Sequence, residues 1–261
     1  MNSTVSVIVR TVQRPQRLCE CLQSLAAQTF RNFELVLVDM SDGSMSSMVE
    51  KMRGHLPAVR HLKLNGARSR PVALNRGIES ANGNLITILD DDNLWDADHL
   101  ENIVRDFNGA DLVYTGVRVQ TSTVAGEMMQ ERIYQLPFDF HRLLEENFIF
   151  TVATAFRRAL WDDVGRYDER FPVYEDWEFL IRATHGREVR ALTCCSAISR
   201  AFTGNIYLRE HSASEADECA RCRAALQWKH RVFRKQRVHD FKNARLLAQW
   251  WWQNRFALLR A

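Results

Sequence analysis

Glycine and proline are both scarce in this 261-residue chain, at 11 and 5 residues. That excludes collagen-like repeats and long low-complexity stretches. No apolar run approaches the roughly 20 residues that a bilayer span needs. The opening MNSTVSVIVRT has no basic n-region and no cleavage site, so no secretory signal is expected. The six cysteines are Cys19, Cys21, Cys194, Cys195, Cys219 and Cys222. In the cytosolic setting that this implies, free thiols are the default reading. Cys219-x-x-Cys222 has zinc-like spacing, but Cys194–Cys195 does not supply a second pair at the usual interval.

What is present is ordinary globular material, 46% hydrophobic and 26% charged, enough for one large domain or one with an appendage. The net charge of +3 hides an asymmetry. Residues 228–261 hold nine Lys/Arg against one acid, Asp240, a net of +8 that leaves −5 for residues 1–227. Four of the seven tryptophans also lie in that tail, so its composition needs its own explanation.

Hydrophobic periodicity predicts buried strands at Val5–Arg10, Phe33–Asp39, Val59–Leu64 and Leu85–Leu89, with helices near Leu18–Leu25 and Val72–Ala81. Pro15 suits the first helix start. Strand–helix–strand alternation over a hundred residues argues for a parallel α/β sheet. Beyond it the pattern predicts a helix at His99–Phe107, a strand at Asp111–Val119, and an exposed connection at Thr121–Glu131. It then predicts a helix at Asp139–Asn147, a strand at Phe148–Phe156, a helix at Asp176–Thr184, strands at Val189–Cys195 and Ile206–Leu208, and helix from Glu215 onward.

The sharpest chemical signal is Leu85-Ile-Thr-Ile-Leu-Asp-Asp-Asp-Asn, a buried strand that delivers three adjacent carboxylates to a sheet edge. Ligands of such sheets gather at the carboxyl ends of the strands. Crowding like charges costs free energy unless a cation or solvent offsets it, and Mg²⁺ typically takes one or two carboxylates plus substrate phosphates. The alternative is a solvated loop whose Asp residues cap the next helix.

The surrounding residues resemble glycosyltransferase family 2. Leu89-Asp-Asp-Asp-Asn-Leu-Trp-Asp-Ala-Asp-His-Leu-Glu101 is similar to the family's metal-binding stretch, with Ala97 where proline is usual. Val5-Ser-Val-Ile-Val-Arg-Thr, Leu25-Ala-Ala-Gln-Thr-Phe, Phe33-Glu-Leu-Val-Leu-Val-Asp, Asn75-Arg-Gly-Ile and Glu175-Asp-Trp-Glu follow in the family's order, over about residues 4–212. The resemblance implies a GT-A fold, an α/β, Rossmann-like and mostly parallel sheet flanked by helices. It implies a catalytic domain over 1–212, with 1–109 binding the nucleotide-sugar and 110–212 the acceptor. The basic, tryptophan-rich stretch 213–261 lies outside the resemblance and is read from its own pattern as a helical extension. The resemblance also implies a Mn²⁺ or Mg²⁺ cofactor, with Asp92, Asp90 and His211 as metal ligands.

The same resemblance places Thr11, Asp39, Asp42, Asp90, Asp91 and Arg209 in the donor site. Leu74 stands where the family often has Arg before the Asn of Asn-x-Gly, so Arg68 or Arg70 is the substitute for that phosphate contact, with ordinary surface arginine as the alternative. Asp176 becomes the general base of an inverting transfer, and Glu175 and Trp177 position the acceptor. One loop departs from the family's Val-Asp-Asp-Gly-Ser: here it reads Val38-Asp-Met-Ser-Asp42-Gly-Ser. Either Met40 replaces the second Asp or two residues are inserted and Asp42 takes its role; the restored Asp-Gly-Ser turn favours the insertion. The expected reaction moves a sugar from a nucleotide-sugar, most simply a UDP-sugar, to a hydroxyl acceptor such as a growing glycan, a lipid-linked saccharide or a small molecule. The expected setting is the cytoplasm or the inner membrane face, in polysaccharide biosynthesis, without nucleic-acid binding.

A sugar-phosphate nucleotidyltransferase is the rival enzyme, but Arg10-Thr-Val-Gln-Arg-Pro lacks the glycine-rich first loop. An inactive sugar-nucleotide-binding scaffold is the non-enzymatic rival. In the tail, Ala244, Leu247, Trp251 and Leu258 share one helical face, broadened by Trp250, Trp252 and Phe256. Packing on the catalytic domain, a homo-oligomer contact and an anionic membrane surface are the alternatives for it.

Overall fold

The computed structural model describes residues 5–64, 69–123, 128–202 and 213–233. Its first half alternates strand and helix: β1 (Val5–Thr11), α1 (Pro15–Ala26), β2 (Phe33–Asp39), α2 (Ser46–Arg53), β3 (Val59–Lys63), α3 (Arg70–Ser80) and β4 (Leu85–Asp90), as the periodicity predicts except for α2, which it does not show. Strand β1 runs parallel to both β2 and β4, with Val9 opposite Leu37 on one side and Leu89 on the other. Every residue of β1 and β2 is buried, because helices cover both faces of the sheet.

The two-residue period of the strands splits the core in two. Val5, Val7, Val9, Leu35 and Leu37 pack with Leu18, Cys21, Leu22 and Leu25 of α1, while Ile8, Val36 and Val38 pack with Ala73, Leu74 and Ile78 of α3. Each such buried aliphatic side chain contributes about 1.5–3 kcal/mol. Gly77 lets α3 lie close on the sheet: a Cβ there would stand 2.6 Å from Ile8 Cγ2 and 3.0 Å from Val38 Cγ2.

The second half is β5 (Leu94–Trp95), α4 (His99–Phe107), β6 (Leu112–Tyr114), β7 (Val117–Ser122), β8 (Met128–Tyr134) and α5 (Phe140–Glu145), then a 3-10 turn (Thr151–Ala153), β9 (Thr154–Arg157) and α6 (Arg158–Val164). It ends with α7 (Glu175–Thr184), β10 (Val189–Ala191), β11 (Ala197–Phe202) and α8 (Ala213–Lys229). The main sheet has the order β10-β6-β9-β4-β1-β2-β3, parallel except for β9. A smaller sheet, β5-β11-β7-β8, stands beside its carboxyl edge.

Several expectations give way here. The single strand expected at Asp111–Val119 is two strands in different sheets. At the break, Thr115 N–H donates to Ala153 O (3.1 Å) and Gly116 N–H to Cys194 O (2.8 Å). The exposed connection expected at Thr121–Glu131 holds the end of β7 and most of β8, an edge strand whose seven residues are all exposed. A fully exposed strand carries no buried period for a sequence reading to detect. The strand expected at Phe148–Phe156 shrinks to Thr154–Arg157 behind the 3-10 turn. The strand at Ile206–Leu208 and the tail from 234 onward, with its tryptophan-rich face, lie outside the described residues.

Helix α8 packs on α7, burying Cys222 and Leu226. Its last residue, Lys229, bridges Asp168 and Glu178 at 2.7 Å each. No helix among the described residues is long and apolar enough to cross a membrane.

Candidate active site

The parallel pairing of β1 with β4 sets Arg10 opposite Asp90 at the carboxyl edge of the sheet. Arg10 is a charge in an otherwise apolar strand, and two carboxylate partners account for it. Its Nε donates to Asp90 Oδ1 (2.6 Å) and its Nη1 to Glu175 Oε1 (3.2 Å), while Arg70 Nε stands 3.7 Å from the same Glu175 oxygen. Burial opposes ionisation of Asp90, but Arg10, then Arg70 and Arg14, outweigh it and hold its carboxyl at about 2. Glu175, also buried, is pushed upward by burial against the pull of Arg10 and Arg70.

The three carboxylates after β4 do different things. Asp91 is fully buried: it accepts from Thr11 Oγ1 (2.6 Å) and lies 2.5 Å from Arg14 Nη2. Burial pushes its carboxyl up to about 6. The expected donor contact through Asp91 is therefore replaced by an internal brace between two loops. Asp90 and Asp92 line the cleft. Arg14 Nη1 donates to Asp92 Oδ2 (2.8 Å), and the Asp92 carbonyl accepts from Arg200 Nε (2.5 Å). Asn93 closes the turn, donating its N–H to Asp90 O (3.0 Å) and accepting Arg200 N–H at Oδ1 (3.0 Å). Trp95 then anchors the segment, with its indole N–H on Val152 O (2.7 Å) and its ring stacked on His99 at 4.3 Å.

The second loop also corrects an expectation. Asp42 is exposed, accepts Ser44 N–H (3.1 Å) within its own turn, and does not line the cleft. Met40 does line it, with its N–H donating to Thr11 O (3.0 Å). Asp39 lies beneath the cleft wall, accepting from Ser41 N–H (2.9 Å) and Oγ (2.5 Å), with His61 Nε2 at 3.1 Å from its other oxygen. It braces the loop rather than facing a ligand. Arg68, Arg209 and His211 lie outside the described residues.

Asp176, which also lines the cleft, is the second residue of α7, whose start follows Tyr174 with its left-handed φ of 62°. Asp176 Oδ2 accepts from Asn147 Nδ2 (3.0 Å) and Thr151 Oγ1 (3.1 Å), and its Oδ1 from Trp177 N–H (2.8 Å). Trp177 itself is buried, with its indole N–H on Leu143 O (2.6 Å). It anchors the helix start and does not reach the cleft, contrary to the acceptor contact expected of it. Asn75, from the Asn-x-Gly motif, is likewise internal: it holds Tyr167 O and Glu169 Oε1 at 3.0 Å and accepts Tyr167 N–H at 2.9 Å.

Thr11, Arg70, Asp90, Asp92, Glu175 and Asp176 thus meet in one cleft of about 930 Å³. Sequence reasoning missed Arg10, Arg14, Arg132, Arg200, Asn147 and Thr151, which also line it. Arg10 carried a readable signal, a lone charge closing a β-branched run. Asn147 and Thr151 carried none, since they matter only because the chain returns past Asp176.

The profile described as "Glycosyltransferase like family 2" matches residues 2–235. A PGL/p-HBAD biosynthesis glycosyltransferase of Mycobacterium bovis is 32% identical over 184 residues, 68% of this chain and 68% of its own. The uncharacterized glycosyltransferase YwdF of Bacillus subtilis is 26% identical over 198 residues, 74% of this chain and 73% of its own. Among solved structures, S. aureus TarS 1–349 in complex with UDP has a TM-score of 0.62 at 20% identity, covering 87% of this chain and 71% of that one. This chain spans only 42% of the longer TarS structure. A Pyrobaculum calidifontis mannosyltransferase, PcManGT, in complex with GDP-Man and Mn²⁺ has a TM-score of 0.57 at 23% identity, covering 75% and 56%. At these identities the structures speak for the fold, which is the expected GT-A arrangement. The profile match over nearly the whole described chain and the 32% relative place this protein in glycosyltransferase family 2, as a glycosyl-transferring enzyme.

Proposed function

We propose that this enzyme is a metal-dependent, inverting transferase that moves a sugar from a nucleotide-sugar, most simply a UDP-sugar, to a hydroxyl of a glycan or lipid-linked acceptor. The observation that carries this reading is one cleft lined by Asp90, Asp92 and Asp176, the last gripped by Asn147 and Thr151. Asp176 would take the proton from the acceptor hydroxyl as that oxygen attacks the anomeric carbon. The grip on Oδ2 orients the carboxylate for that task. Glu175, clamped between Arg10 and Arg70, would keep both guanidinium groups near the donor's negative charge.

The carboxylates fit a hard divalent cation. Asp92 and Asp90 both face the cleft, and Arg10 keeps Asp90 ionised. Among the described residues no group of three or more His, Cys, Asp or Glu forms a ready cage. That suits a cation that takes one or two carboxylates and completes its shell with substrate phosphates. When bound, the metal would neutralise charge on the departing diphosphate. TarS in complex with UDP and UDP-GlcNAc and PcManGT with GDP-Man and Mn²⁺ support a nucleotide-sugar donor and a divalent metal by analogy of fold.

The test is a thermal-shift panel of UDP, GDP, dTDP and CDP, each with and without Mn²⁺. One nucleoside diphosphate with Mn²⁺ should raise the melting temperature, and Asp92→Ala should remove the metal-dependent part. No shift with any of the four would overturn the donor reading.

A further inference from the structure

The cleft does not end at the carboxylates. Its floor continues over the smaller sheet, where β11, β7 and β8 lie side by side. Ser199 pairs with Val119 and Val119 with Arg132, while Thr121 pairs with Gln130. All five line the cleft, as does Tyr134. Gln130, Arg132 and Tyr134 alternate along β8, so the period of two puts them on one face.

Arg132 differs from the other arginines of the cleft. Arg10 is held by Asp90 and Glu175, Arg14 by Asp91 and Asp92, Arg70 by Glu175, and Arg200 by Glu20. The Arg132 guanidinium has no hydrogen-bond or ion-pair partner among the described residues. It stands on an exposed edge strand, so it stabilises no core. An unpaired guanidinium facing a cleft is a ready partner for a planar or tetrahedral oxyanion, which it can hold through two parallel hydrogen bonds.

The contacts put this arm on the acceptor's side. Asn147 and Thr151 grip Asp176, and between them in the chain Phe150 reaches across to Tyr134, with ring centroids 5.5 Å apart. Tyr134 is two residues from Arg132 on the same face. A route of contacts therefore runs from the proposed base to Arg132 past two aromatic rings of the kind that carry sugar faces. Ser199, next to the Arg200 that binds the Asp92 carbonyl, is two strands from Arg132, roughly 10 Å at the usual spacing.

We infer that the acceptor is anionic, with a phosphate or carboxylate held by Arg132 and a sugar ring against Tyr134 and Phe150. This rests on the transferase reading proposed above. The probes are octyl β-glucoside, octyl β-glucuronide and octyl glucoside 6-phosphate, titrated onto the full chain in the presence of UDP and Mn²⁺. At least one charged probe should bind about tenfold or more tightly than the neutral one. The glucuronide and phosphate arms then tell carboxylate from phosphate. Arg132→Gln should erase the preference, and Arg132→Lys should restore part of it, both with the UDP-dependent thermal shift intact.

Equal affinity for the three probes, including no measurable binding of any, overturns the inference. So does loss of the UDP shift in Arg132→Gln, which would make Arg132 a donor residue. Failure of the transferase reading itself would show instead as a wild-type chain that no nucleoside diphosphate stabilises.

Discussion

Asn in place of Asp176 keeps the size of the side chain and an oxygen for Asn147 or Thr151 to donate to, but it cannot accept a proton. Asp176→Asn should therefore bind UDP with an unchanged thermal shift while transfer falls by about 10²–10⁴-fold. Single-turnover transfer from a radiolabelled donor measures this, and undiminished turnover would assign the base elsewhere. At this scale the adjacent carboxylates were legible as a cluster, but not as three different residues. Burial makes Asp91 a brace, Arg10 makes Asp90 an ion-pair partner, and only Asp90 and Asp92 face the cleft. A run of identical letters holds no information about which side chain turns inward. The same limit applies to Met40 and Asp42, since the turn chemistry favoured Asp42 while the backbone put Met40 in the wall.

At the scale of elements, Gly77 marks the tightest point between α3 and the sheet. Gly77 brings the helix against β1 and β2 so closely that a methyl group would meet Ile8 and Val38, both fully buried and branched. Gly77→Ala gains helix propensity but overpacks this seam. It should lower stability by about 1–3 kcal/mol, read as a lower urea midpoint with little change in slope. The helix and the strands it covers were legible because their apolar residues recur at 3.6 and 2. Strand β8 was not, because nothing in it is buried, and β7 could not be told from β6 because the change of sheet happens within one apolar run.

At the scale of the whole molecule, α7 and the end of α8 are joined by charge. Glu178 of α7, fully buried, meets Arg182 (2.7 Å), Lys229 (2.7 Å) and His230 (3.3 Å). Burial opposes its ionisation, but His230, Arg182 and Lys229 outweigh it and bring its carboxyl down to about 2. The folded value lies below the unfolded one of 4.5, so the contribution is full above about pH 4.5 and lost as pH falls toward 2. It amounts to about 3 kcal/mol. Urea unfolding at pH 5.5 and pH 3 should show this loss, and Glu178→Gln should be less stable at pH 5.5 and less sensitive to acid. An equal acid loss in the variant would place the effect on other carboxylates.

What the sequence determined by itself is the alternation of elements, the parallel sheet, the family and the carboxylates that end β4. All of these are local: they follow from period, turn chemistry and residues close in the chain. Only the tertiary structure decided which charges are paired. Arg10 and Glu175 are 165 residues apart, and Asn147 meets Asp176 across 29. Such contacts depend on how strands pair and where the chain returns. That the guanidinium of Arg132 has no partner among the described residues shows in the fold alone, because a charge counts as unpaired only once its neighbours in space are known.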